Sequence, residues 1–126
     1  MSSLRPTAIN EVFGVLIAAF PGTPTDRAVD TLQEELLQEV ETKQPQGVVL
    51  DVSRVTTLDS FFARVISETA SMVSLMGSDV VVVGMRPSVA ITAAELGYGF
   101  DNIDTARNVD HALSKFGVDA SGGADD

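Results

Sequence analysis

A chain of 126 residues that is 44% hydrophobic and 21% charged has the size and balance of one compact domain. It holds no cysteine and a single histidine, His111, which excludes disulfides, thiolate metal sites and thiol nucleophiles and argues against a histidine-built metal centre or a Ser-His-Asp hydrolase. Eighteen acidic against eight basic residues give a formal charge of −10, which opposes nucleic acid or anionic lipid as the main partner.

No apolar run approaches the roughly 18–20 residues of a membrane span, and Met1 to Pro6 does not follow the pattern of a signal peptide. The expectation is a soluble, cytoplasmic protein. Residues 1–6 read as a flexible lead-in. From Thr7 to Phe20 strand-forming residues dominate, broken at Gly14, which predicts two short strands around Asn10 to Gly14, paired as an antiparallel hairpin. Pro21 to Asp26 is breaker chemistry, with Thr25 or Asp26 available to cap a helix. Val29, Leu32, Leu36, Leu37 and Val40 then recur at helical spacing, opposite Asp30, Glu34, Glu35, Glu39 and Glu41, a charged face that solvation explains. Gln44 to Gly47 ends that helix, and Val48 to Val52 is a strand apolar on both faces.

After Asp59-Ser60 the pattern predicts a helix from about Phe61 to Met76, with Phe62, Val65, Ile66, Thr69, Val73 and Met76 along its buried stripe. Val80 to Val83 is an unbroken β-branched run, as in a central strand covered on both sides. Pro87 suits the first position of a third helix, which Val89, Ile91, Ala93, Ala94 and Leu96 continue and Gly97 ends. A short strand near Asn102-Ile103 and a last helix from Arg107 to Phe116 complete the order ββαβαβαβα. This is an α/β fold with a mixed, mostly parallel sheet spanning 7–116. Residues 117–126 are small, polar and acidic, the composition of a disordered tail.

Catalytic chemistry is sparse. Gly97-Tyr98-Gly99 follows a helix, not a strand, so it reads as helix termination and not as a dinucleotide loop. Asp51, Asp59 and Asp79 lie near strand ends, where α/β sites form, but loop capping explains them too. His111 beside Asp110 reads as a surface histidine, and no nucleophile is joined to a base and an orienting group. Neither cofactor nor metal site is expected.

The stretch Asp59-Ser60-Phe61-Phe62-Ala63-Arg64 is more informative. Ser60 sits at or beside a helix N-cap. It either caps the helix, contributing about 1 kcal/mol, or accepts a phosphate that the helix N-terminus would tolerate. A partner resting on Phe61 or beside Arg64 would then meet a hydrated dianion. The site could alter binding without altering the fold.

The element order, Gly47-Val48-Val49-Leu50-Asp51, the Asp59-Ser60 pair and the Val80–Gly84 strand together resemble the STAS domain, the fold of bacterial anti-sigma factor antagonists. Asp59 to Ile66, with Leu75-Met76-Gly77 and Pro87 to Thr92, is similar to the RsbS-type group, single-domain scaffolds of the stressosome. Free antagonists of the SpoIIAA type carry Ser/Thr-Gly after the Asp-Ser pair, where this chain has Phe61-Phe62, so the resemblance favours the stressosome group. The resemblance is to the minimal scaffold, so no N-terminal sensory domain of the RsbR type is expected.

The resemblance implies a non-enzymatic switch. Ser60 matches the serine phosphorylated by an RsbT-type kinase and reset by an RsbX-type PP2C phosphatase. Thr92 aligns with a second modification position in RsbR-type paralogues, though a mid-helix threonine can equally bond back to its own backbone. Asp59, Phe61 and Arg64 become the partner interface. Expected partners are RsbR-type STAS paralogues, the kinase, the phosphatase and a second copy in a homodimer. The apolar surplus at Phe13, Phe61 and Phe62 is open to interface or core, with Phe62 the better core candidate and Phe61, off the main stripe, the better interface one. The competing readings are a free SpoIIAA-type antagonist and, in another class, a small nucleotide-binding domain or enzyme built on Asp51 and Asp59.

Overall fold

The computed structural model describes residues 8–23, 25–56, 59–97 and 103–118. Among them the order is β1 (Ile9–Val12), β2 (Val15–Ala19), α1 (Asp26–Lys43), β3 (Gly47–Asp51), α2 (Ser60–Leu75), β4 (Asp79–Val83), α3 (Pro87–Glu95), β5 (Asp104–Ala106) and α4 (Val109–Lys115). The sheet runs β1-β2-β3-β4-β5, antiparallel only between β1 and β2 and parallel thereafter. The expected α/β class, element order and mixed sheet are all present.

The hairpin turns at Phe13 and Gly14, both with positive φ, at 53° and 80°. Two-residue hairpin turns need such values to match the twist of their strands. Gln46 holds the turn from below, its Nε2 donating to the Phe13 carbonyl at 3.2 Å and its backbone N–H to that of Gly14 at 3.1 Å. Near the same end of β1, Glu11 meets Lys43, the last residue of α1, at 3.3 Å.

Alternation along the strands divides the core. Leu16, Ala18, Val48, Leu50 and Val82 point to one face, where α1 supplies Val29, Leu32, Leu36 and Val40, α2 supplies Phe62, Val65, Ile66 and Val73, and α3 supplies Val89 and Ala93. Val15, Val49, Val81 and Val83 point to the other, against Ala112 and Leu113 of α4. Burial on both sides explains why β3 and β4 are near-continuous apolar runs, β4 wholly of valine after Asp79. Each such side chain contributes about 1.5–3 kcal/mol on leaving water. Phe116, the C-cap of α4, packs directly on Gly47: a Cβ there would stand 2.6 Å from its ring. The α1–α2 seam is pinned by a polar pair, Gln33 Nε2 donating to the buried Thr69 hydroxyl at 2.8 Å, which itself donates to the Val65 carbonyl at 2.6 Å.

Several boundaries differ from expectation. The helix expected from Phe61 begins at Ser60, and Met76 lies beyond it as the C-cap, exposed. The last strand is Asp104–Ala106, displaced from Asn102-Ile103; Asn102 lies outside the described residues. The last helix starts at Val109, because Asn108 accepts from the His111 N–H at 2.8 Å and caps it there. Ile91 and Leu96, counted in the third helix's apolar set, are 60% and 40% exposed. In α3 only Val89 and Ala93, four apart, reach the sheet. Of the Gly97-Tyr98-Gly99 loop, Gly97 has φ +87° directly after α3, as helix-ending glycines do, and the other two residues lie outside the described ones. No helix among the described residues is long and apolar enough to cross a membrane.

Candidate functional site

In a parallel sheet all crossover helices begin at the carboxyl edge, so their N-termini and the loops leading to them gather there. The β3–α2 loop is built at this edge from its own backbone outward. Asp51 ends β3, and its Oδ1 accepts from the Ser53 N–H at 2.9 Å, turning the chain. Val52 donates to the Val83 carbonyl at 3.0 Å and Val55 back to Val52 at 3.0 Å, and both valines are fully buried. Arg86, just before α3, donates its Nε to the Ser53 carbonyl at 3.0 Å. Gly84 packs so tightly beneath that a Cβ on it would lie 2.5 Å from the Ser53 Cβ, with φ at +76°. The loop leading to Ser60 is thus fastened to the loop leading to α3.

Asp59 is the N-cap of α2, extended at φ −102° and ψ 174°, and its Oδ1 accepts from the Phe62 N–H at 2.8 Å. Of the two roles open to Ser60, capping therefore falls to its neighbour. Ser60 is the first helical residue and is exposed, and its hydroxyl has no hydrogen-bond partner among the described residues.

The next three side chains divide between core and surface. Phe62 is 3% exposed and meets Phe20 edge to face, ring centroids 5.5 Å apart, so its assignment to the core holds. Phe61 is half-buried, packed against the margin of the core. It walls a depression of about 210 Å³ between the starts of α1 and α2, shared with Gly22, Asp26 and Asp59. Arg64, one turn on, lies with its Cζ 5.6 Å from the centre of the Phe61 ring and its Nη1 3.6 Å from Glu68 Oε2. Asp59, Ser60, Phe61 and Arg64 thus form one patch.

The remaining candidates are elsewhere. Thr92 is on α3, partly buried, its hydroxyl donating to the Ser88 carbonyl at 3.0 Å, the backbone bond open to a mid-helix threonine. Phe13, at the hairpin tip, is 62% exposed and belongs to the opposite edge of the sheet from Ser60. Asp79, grouped from sequence with Asp51, opens β4 and pairs in register with Gly47, whereas Asp51 pairs with Val83. The two carboxylates are at opposite ends of the sheet, because a strand of five residues separates its own termini. His111 Nδ1 accepts from the Arg107 N–H at 3.2 Å, so the ring braces the start of α4. The Ser53–Arg86 link escaped the sequence reading. Its only local sign was Pro87, which holds the preceding Arg86 in an extended conformation.

The profile of the STAS domain family matches residues 7–112. The chain belongs to the STAS domain family. Among curated proteins this STAS domain is similar to the RsbT co-antagonist protein RsbRD of Bacillus subtilis (strain 168), 27% identical over 104 residues, 82% of this chain and 37% of that protein. It thus spans well under half the length of that relative. Among solved structures it is similar to a variant of RsbS from Moorella thermoacetica, with TM-score 0.79 and 32% identity over 86% of this chain and 92% of that one. A chain from the molecular architecture of the stressosome, a signal integration and transduction hub, superposes equally well, with TM-score 0.79 and 33% identity, covering 86% and 95% of the two chains.

Proposed function

We propose that this STAS domain is a stressosome-type scaffold that works by binding and not by catalysis. In this reading it pairs with a second copy, co-assembles with RsbR-type STAS paralogues and holds an RsbT-type kinase. Phosphorylation of Ser60 releases that kinase, and an RsbX-type phosphatase resets the site. The similarity to an RsbT co-antagonist, to an RsbS and to a stressosome chain supports the assembly.

The observation that carries the switch is the division of labour between Asp59 and Ser60. Because Asp59 supplies the cap, a phosphate on the exposed Ser60 hydroxyl disturbs no existing bond, and the first-turn amides and helix dipole favour it. A partner resting on Phe61 and Arg64 meets a dianion that it must desolvate. A loss of about 3 kcal/mol there weakens the contact more than a hundredfold. Thr92 is a candidate second modification site, whose hydroxyl has to leave the Ser88 carbonyl before it reacts.

The test is intact mass and peptide mapping after incubation with an RsbT-type kinase and ATP, with Ser60→Ala alongside. One added phosphate on Ser60, absent from Ser60→Ala, is expected. In capture assays Ser60→Ala retains the kinase and Ser60→Asp releases it, while circular dichroism of both stays that of the folded domain. No phosphate from a demonstrably active kinase, or equal capture by both variants, refutes the reading. Size-exclusion with an RsbR-type paralogue then separates a large assembly from the binary complex of a free antagonist.

A further inference from the structure

Ser60 and Arg64 are four residues apart in α2, so their side chains stand one turn above the other on a single helix face. Arg64 is at present shared between two weak partners. It lies over the Phe61 ring at 5.6 Å, and its Nη1 is 3.6 Å from Glu68 Oε2, both side chains about half exposed. That separation is longer than a hydrogen bond. The pair also has its cation on the N-terminal side, the less favourable order for helix neighbours at this spacing, and exposed ion pairs of this kind are weak.

A phosphate on Ser60 changes the competition. It carries about −1.5 to −2 charges against the single charge of Glu68, and it offers three acceptor oxygens. Its geometry matches the planar fork of a guanidinium. It also stands N-terminal to Arg64, the favourable order.

We propose that phosphorylation of Ser60 draws Arg64 off Glu68 and off the Phe61 ring, so that the modification rearranges the partner-facing patch as well as adding charge. The unmodified face presents a cation lying over an aromatic ring. The modified face presents a phosphate–arginine pair, an uncovered Phe61 ring face and an unpaired Glu68. A partner that reads the arginine through its own carboxylates loses that contact at the moment the dianion appears. The inference rests on Ser60 being the modified residue, as proposed above.

The test installs phosphoserine at position 60 during synthesis of the full chain, so its outcome does not depend on any kinase. The second ionisation of the phosphate is followed by phosphorus NMR in the otherwise unaltered protein and in Arg64→Gln, Arg64→Lys and Glu68→Gln. Asp59, Asp26 across the depression and the helix N-terminus act on the phosphate alike in every variant, so differences isolate residues 64 and 68. Arg64→Gln is expected to raise that pKa by about half a unit, Arg64→Lys to retain most of the effect, and Glu68→Gln to leave the pKa unchanged or lower. An Arg64→Gln titration that superimposes on the unaltered protein overturns the proposal, as does a rise with Glu68→Gln. Failure of the kinase assay would remove Ser60 as a natural target while leaving this titration intact, so the two readings fail separately.

Discussion

Replacing Asp59 and Ser60 in turn by alanine tests which of two adjacent residues holds the start of α2. Asp59 Oδ1 sits 2.8 Å from the Phe62 N–H, the geometry of an N-cap, and α2 has no acidic residue in its first turn. Asp59 therefore supplies both the capping bond and the charge facing the helix dipole. Losing the bond costs about 1 kcal/mol and losing the charge about 0.3–1 kcal/mol more. Asp59→Ala is expected to destabilise the domain by about 1.5–2 kcal/mol, and Asp59→Asn, which keeps an acceptor, by about 0.5 kcal/mol. Ser60→Ala removes a hydroxyl with no partner among the described residues and should fall within about 0.5 kcal/mol of the parent, since alanine is the better helix former. Urea unfolding followed by far-UV circular dichroism resolves these differences as shifts of the midpoint at constant slope. A Ser60→Ala loss equal to or larger than that of Asp59→Ala refutes the assignment. It would also remove the basis for a harmless phosphate at Ser60, because the modified oxygen would then be the cap itself.

The hairpin gives a prediction of opposite sign: Phe13→Asn should stabilise by about 1 kcal/mol, because Phe13 sits at φ 53° where Asn before Gly14 is favoured. A fall in the thermal midpoint would show instead that the exposed ring holds the turn. Gly84→Ala should destabilise by about 2 kcal/mol or more, as the new Cβ meets Ser53 Cβ at 2.5 Å and Cα at 2.9 Å with φ at +76°. Adding Ser53→Gly removes the first of these contacts and should recover part of the loss. No recovery in the double variant would mean that the strained φ and the remaining backbone contacts with residue 53 carry the penalty.

Legibility differs from residue to residue for identifiable reasons. Val29, Leu32, Leu36 and Val40 are buried as their spacing required, because a helix of regular period turns the same side inward at each of them. Met76, Ile91 and Leu96 matched the same pattern yet are exposed. Met76 follows the last helical turn. In α3 the inward stripe is only as wide as Val89 and Ala93, and periodicity does not report how much of a helix another element covers. Asp59 and Ser60 are both good caps on paper. Which one serves depended on where the loop from Val55 delivers the chain.

The sequence by itself determined the α/β class, the order of elements, the doubly covered strands β3 and β4 and the singular Asp59-Ser60-Phe61-Phe62 start of α2. All of these follow from interactions within a few residues, or from whether a segment is apolar on one face or two. Only the tertiary structure placed Asp79 at the opposite end of the sheet from Asp51, set Phe116 over Gly47 and fastened Ser53 to Arg86 across one crossover. The pairings and contacts behind these placements join residues 32 to 69 positions apart. They exist because strand register and helix packing fix the spacing of distant segments, and no local pattern encodes that spacing.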